Sequence, residues 1–119
     1  MKKVLLFLPN GFEVLEASAF IDVMGWNFLE GDGSTKLHTF GLHKEIISSF
    51  NQKFIVDYLM DEVETGSFDA LAIPGGFEEY DYYMEAFDER ILQLIREFND
   101  KGKIIASICV AALSLGKDR

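Results

Sequence analysis

The chain has 119 residues, of which 49% are hydrophobic, 13% aromatic and 26% charged. That is enough for one core and too short for two, and too apolar for intrinsic disorder. A net charge of −9 argues against phosphate backbones as partners, so nucleic acid is not expected.

Val4 to Leu8 is an unbroken apolar run near the start of the chain. It is too short to span a bilayer, and Pro9–Asn10–Gly11 ends it as a strand rather than a signal peptide. No membrane association is expected. A single cysteine allows no disulfide within the chain and suits a reducing cytoplasm.

Lys3 to Leu8 has the near-continuous apolarity of a strand buried on both faces of a parallel sheet. From Phe12 to Leu29 the apolar residues Leu15, Ala19, Val23 and Trp26 recur at helical spacing, with a loosening expected at Gly25. This helix is apolar on most sides, which calls for a cover beyond the sheet. Thr35 to Phe40 is a second strand. Glu45 to Phe50 and Lys53 to Asp57 pair as a small hairpin about Asn51–Gln52, and Asp61 to Thr65 forms one helical turn.

Phe68 to Ile73 is a third buried strand, stopped by Pro74–Gly75–Gly76. Phe87, Ile91, Leu94, Ile95 and Phe98 then define an amphipathic helix that Gly102 terminates. The acidic residues Glu78, Glu79, Asp81, Glu85, Asp88 and Glu89 are expected on a solvated face. Tyr80, Tyr82 and Tyr83 are expected at the surface or an interface, a pocket wall being the alternative. Lys103 to Ile108 is the fourth core strand, and a last helix starts over Val110 to Leu115.

Strands alternating with helices predict a doubly wound α/β sheet with helices on both faces. Ligands bind such sheets beyond the carboxyl ends of the strands. Three segments fall there: Pro9 to Phe12, Pro74 to Phe77, and the junction at Cys109.

Cys109 sits where a buried strand gives way to a helix, with small Ser107 and Ala111 two positions to either side. A sharp strand-to-helix turn demands such neighbours, and a helix N-terminus favours thiolate. A small buried core cysteine fits the same position equally well. Glu13 and Glu16 share one face at the start of the first helix, where carboxylates commonly serve the helix dipole. The functional alternative has Glu16 pointing inward to hydrogen-bond the thiol, with burial keeping it protonated. Gly75 and Gly76 can turn backbone N–H groups toward an anion, or simply make a tight turn. No GxGxxG, P-loop or metal-ligand cluster is present, so no cofactor or metal is expected. His38, in a strand, and His43, in a turn, are expected to be structural or exposed.

Gly11–Phe12–Glu13–Val14–Leu15–Glu16, then Asp69–Ala70–Leu71–Ala72–Ile73–Pro74–Gly75–Gly76, then Ala106–Ser107–Ile108–Cys109 together resemble the ThiJ/PfpI family. That family lies in the class I glutamine amidotransferase-like superfamily and includes the Parkinson's-disease-associated protein deglycase. The resemblance covers essentially the whole chain as a single domain, residues 1–119. It implies a flavodoxin-like sandwich, a homodimer, a reactive Cys109, Glu16 as its carboxyl partner, and Gly75 and Gly76 in an oxyanion-type site. Val110 follows the cysteine where protease-like members carry histidine, so the chain looks nearer the deglycase-like branch. No histidine is carried over, since neither His38 nor His43 matches the family position.

Three functions follow from this resemblance. The first is chemistry on small reactive carbonyls or their amino adducts, the second an intracellular peptidase or amidase, the third a redox-sensing or chaperone-like stress protein. Family members continue past the elbow. The chain is therefore expected to be the N-terminal two-thirds of such a domain, completed by a C-terminal fragment of the same protein or else by dimerisation.

Overall fold

The computed structural model describes residues 2–31, 33–76 and 82–107. Cys109, Val110 and the helix expected over Val110 to Leu115 lie outside them, as do Glu78, Glu79, Tyr80 and Asp81.

Among the described residues the main sheet contains five strands: β1 (Lys2–Phe7), β2 (Thr35–Gly41), β5 (Tyr58–Leu59), β6 (Ala70–Ile73) and β7 (Ile104–Ser107). All neighbours are parallel, in the order β5-β2-β1-β6-β7. A separate antiparallel pair joins β3 (Glu45–Ile47) to β4 (Lys53–Ile55). Helix α1 (Val14–Glu30) connects β1 to β2, and α2 (Tyr82–Ala86) with α3 (Glu89–Asp100) lies between β6 and β7. From central β1 the chain winds outward one way through β2, and from β6 it winds the other way to β7. The direction reverses between β1 and β6, the place where doubly wound sheets open a crevice. This is a flavodoxin-like α/β arrangement.

The double burial of β1 is visible residue by residue. Leu5 and Phe7 pack with Phe40, Leu71 and Ile73 against Ile91, Leu94, Ile95 and Phe98 of α3. Leu6 and Leu8 point to the other face, toward Phe12, Ala17 and Ala72. A strand with a core on each side has no polar face to offer, hence the unbroken apolar run.

Several expectations require correction. Helix α1 runs through Gly25 without a break. Gly costs only about 1 kcal/mol in a helix interior, too little to interrupt four turns. The two-residue β5 makes a fifth parallel strand; Tyr58–Leu59 is too short to carry a periodic signal. Two 3₁₀ turns, Met60–Glu62 and Thr65–Ser67, replace the single helical turn. The hairpin is also shorter at both strands, because the segment Ser49–Asn51 coils with Phe50 and Asn51 in left-handed backbone.

Tyr82 and Glu85 depart most from expectation. Tyr82 is fully buried and donates its hydroxyl to the Pro74 carbonyl at 2.8 Å, and Glu85 is only 8% exposed. Both sit on α2, a helix too short for its apolar spacing to show. His38 lies in β2 with its Nε2 buried and without a partner among the described residues. Burial, and then the nearby Lys36 charge, push its pKa below the ordinary histidine value.

Asp88 caps α3, its carboxylate accepting from the Arg90 backbone N–H at 2.9 Å. Hydrogen bonds from the Arg90 guanidinium, and then from its backbone N–H, hold the Asp88 pKa below the usual carboxylate range despite partial burial. We expect Asp88→Ala to cost about 1 kcal/mol near neutral pH, measured by urea denaturation. A depressed native pKa means that the contribution is complete above the unfolded value of about 3.9. It is lost as pH falls through the lower folded value, so the two proteins should converge in acid. A difference that persists unchanged at pH 2 would contradict the charged cap.

Candidate functional site

At the carboxyl end of β1 the chain leaves the sheet through Leu8 and Pro9 and turns at Gly11, whose φ of 80° is left-handed. Glycine adopts that conformation without the Cβ penalty. Two hydrogen bonds to the hairpin side fix the turn: Gly11 N–H to the Ile47 carbonyl at 2.8 Å, and Ser49 N–H to the Phe12 carbonyl at 2.9 Å. Phe12 is buried and stacks edge-on against Phe54 with ring centroids 5.1 Å apart.

Beyond β6, Pro74–Gly75–Gly76 runs alongside this loop. Phe12 and Gly76 form an antiparallel bridge. The Gly75 peptide is held at both ends by the start of α1. Its carbonyl accepts from Glu13 N–H at 2.8 Å, and its N–H donates to Glu16 Oε1 at 2.7 Å. An N–H bond to a carboxylate is short and strong, and here it fixes the half-buried Glu16 side chain toward the sheet ends. Glu13, the N-cap residue, makes no side-chain capping bond. Of the two helix-start carboxylates, then, the structure turns Glu16 inward.

Gly76 has no room for a side chain. A Cβ there would lie 2.3 Å from Tyr82 Cδ2 and 2.4 Å from the Gly11 carbonyl oxygen. The diglycine is therefore a close approach of two loops and a tyrosine, not a mere turn.

The structure also assembles a polar group that the sequence alone did not reveal. The buried Glu85 carboxylate accepts from Asn10 N–H at 2.8 Å and from Asn10 Nδ2 at 2.9 Å. His43 Nε2 lies 3.1 Å from its Oε2, with the imidazole 60% exposed. Asn10 Oδ1 in turn accepts from Ile47 N–H at 2.9 Å. The only sequence signal was indirect: Tyr82 and Glu85 are three residues apart, one face of a helical turn.

Glu16, Gly75 and Gly76 thus come together at the reversal between β1 and β6. Cys109 and Val110 lie outside the described residues, but the strand leading to them is described. Ser107 pairs with Ile73 in the parallel register of β6 and β7.

A fold and loop set of this kind define an α/β protein of the flavodoxin-like class. The DJ-1/PfpI family model matches residues 2–119, and the chain belongs to that family. It is 26% identical over 109 residues to Protein DJ-1 homolog B of Arabidopsis thaliana, covering 92% of this chain and 24% of that protein. It is 37% identical over 82 residues to Protein DJ-1 homolog D of the same plant, covering 68% of this chain and 20% of that one. The structure of oxidized Toxoplasma gondii DJ-1 superposes with a TM-score of 0.79 at 24% identity, over 99% of this chain and 61% of that chain. The chain therefore spans about a quarter or less of these curated relatives.

Among the described residues no helix is long and apolar enough to cross a membrane.

Proposed function

We propose that this chain carries a reactive-cysteine site in which Cys109 attacks small reactive carbonyls or their amino adducts, with Glu16 as proton donor and acceptor. The observation that carries this reading is the hydrogen bond from Gly75 N–H to Glu16 Oε1 at 2.7 Å. It fixes a carboxyl group beside the end of β6. Ser107, the last described residue of β7, lies opposite Ile73 and precedes Cys109 by two positions in the sequence. With Oε1 held by Gly75, the other oxygen carries the proton shared with the thiol.

In the chemical step the thiolate adds to the carbonyl carbon, forming the C–S bond. The C=O π electrons move to oxygen, which takes the proton from Glu16. In this arrangement the Gly75 N–H orients Glu16, and the oxyanion role falls to Gly76. Val110, in place of the histidine of protease-like members, favours this chemistry over peptide hydrolysis. The single cysteine suits a cytoplasmic setting.

Methylglyoxal consumption by the wild-type protein, beside a peptidase assay, tests the reading. We expect turnover that Cys109→Ser abolishes, and no peptide cleavage. Equal turnover by the serine variant would sink it, and cleavage of peptides alone would favour the protease-like alternative.

We also propose a homodimer through α1. Leu15, Trp26 and Leu29 are 75%, 63% and 73% exposed, and Val23 lies on the same side of the helix. Large apolar side chains so exposed along one side of a helix mark an interaction surface. Light scattering at micromolar concentration should give twice the chain mass; a monomer would refute the proposal.

A further inference from the structure

We propose that Glu85 is a positioning residue: its buried carboxylate clamps the Asn10–Gly11 turn, and through that turn it keeps Glu16 seated on Gly75. Helix α2 reaches two loops at once. Tyr82 donates to the Pro74 carbonyl at 2.8 Å, on the chain just ahead of Gly75. One turn later, Glu85 takes both the backbone N–H and the side-chain Nδ2 of Asn10, at 2.8 and 2.9 Å. Asn10 passes the restraint on through its Oδ1 to Ile47 N–H, and the adjacent Gly11 N–H bonds the Ile47 carbonyl. The turn held in this way leads directly into Glu13 and Glu16, the two residues that grip the Gly75 peptide.

A carboxylate suits this task because each of its oxygens accepts from Asn10, the backbone N–H on Oε1 and Nδ2 on Oε2, with His43 Nε2 3.1 Å from Oε2. An amide at the same place would turn an NH₂ group toward one of those donors and lose an acceptor. Removing an acceptor from a buried donor exacts the full desolvation penalty of that donor. The geometric claim stands on these contacts alone. Its chemical consequence rests on the Glu16–Cys109 reading above.

The test compares the wild-type protein with Glu85→Gln and His43→Ala. Amide hydrogen exchange is followed at Gly75, and the pH profile of iodoacetamide alkylation is followed at Cys109. In Glu85→Gln we expect Gly75 to exchange about tenfold faster or more, while Leu71 and Ile95 in the core keep wild-type protection. The alkylation midpoint should move toward the free-cysteine value. His43→Ala should leave Gly75 close to wild type, because Asn10 keeps both of its bonds to Glu85. Unchanged Gly75 exchange in a folded Glu85→Gln protein would overturn the clamp. Faster exchange, together with an alkylation profile that Glu16→Gln fails to move, supports the clamp and overturns the cysteine reading. Should Glu85→Gln fail to fold, Asn10→Ala decides: it keeps the backbone bond and should accelerate Gly75 exchange to a smaller degree, and no acceleration refutes the proposal.

Discussion

Replacing Gly76 with alanine is expected to destabilise the protein by about 3 kcal/mol, at the upper end of what overpacking costs. The new Cβ would stand 2.3 Å from Tyr82 Cδ2 and 2.4 Å from the Gly11 carbonyl oxygen. Neither neighbour can yield easily. The tyrosine ring is wholly buried with its hydroxyl on Pro74, and Gly11 sits in a left-handed turn bonded to Ile47. Relief requires separating the two loops, which also breaks the bridge between Phe12 and Gly76. Urea denaturation should show a lower midpoint with little change in slope. Gly25 is the matched control. No atom lies within 4 Å of a Cβ built there, in the interior of α1, so Gly25→Ala should stabilise by about 0.5–1 kcal/mol. A loss below about 1 kcal/mol for Gly76→Ala would mean that the loops separate at little cost, contrary to their hydrogen bonding.

Glu16→Ala should have the largest effect on chemistry while leaving most of the core intact. It removes the acceptor for Gly75 N–H and the proposed proton partner of Cys109 together. The thiol pKa is expected to be depressed in the wild type and to rise by about one unit or more in the variant, toward the free-cysteine value of about 8.5. Carbonyl turnover should fall by about a hundredfold or more, in keeping with the loss of a general acid–base group. Glu16→Gln separates the two roles. It retains an acceptor for Gly75 but cannot exchange a proton, so it should preserve stability and still lose turnover. Wild-type turnover in Glu16→Gln would remove this carboxyl from the chemistry.

The parallel sheet and its flanking helices could be read from the chain because their signals are local. Val4 to Leu8 is apolar throughout, having a core on both faces, and α3 has one clean apolar stripe facing one core. What the sequence could not reveal is that Glu16 accepts from the Gly75 N–H, a contact that spans 59 residues of sequence. The acidic neighbours of Glu85 in sequence point to a solvated face, yet its side chain is buried. Its true environment is made by Asn10, 75 residues away, and by His43. Charge runs report composition, whereas the burial of one member depends on which loop packs above it. Tyr82 escaped detection for the same reason, in a helix too short to show periodicity.

The central position of β1 has a consequence for how the molecule is made. One of its neighbours, β6, begins 63 residues after β1 ends, and Lys3 N–H is bonded to Asp69 across 66 residues of chain. At about 5–20 residues per second of synthesis, the strand leaves the ribosome several seconds before that neighbour exists. During this interval its apolar side chains lack half of their eventual cover. Pairings so distant in sequence raise the contact order and slow folding relative to a helical bundle. The same central strand that organises the finished sheet thus spends part of translation with apolar side chains and an unpaired edge open to a holding chaperone or to another nascent chain.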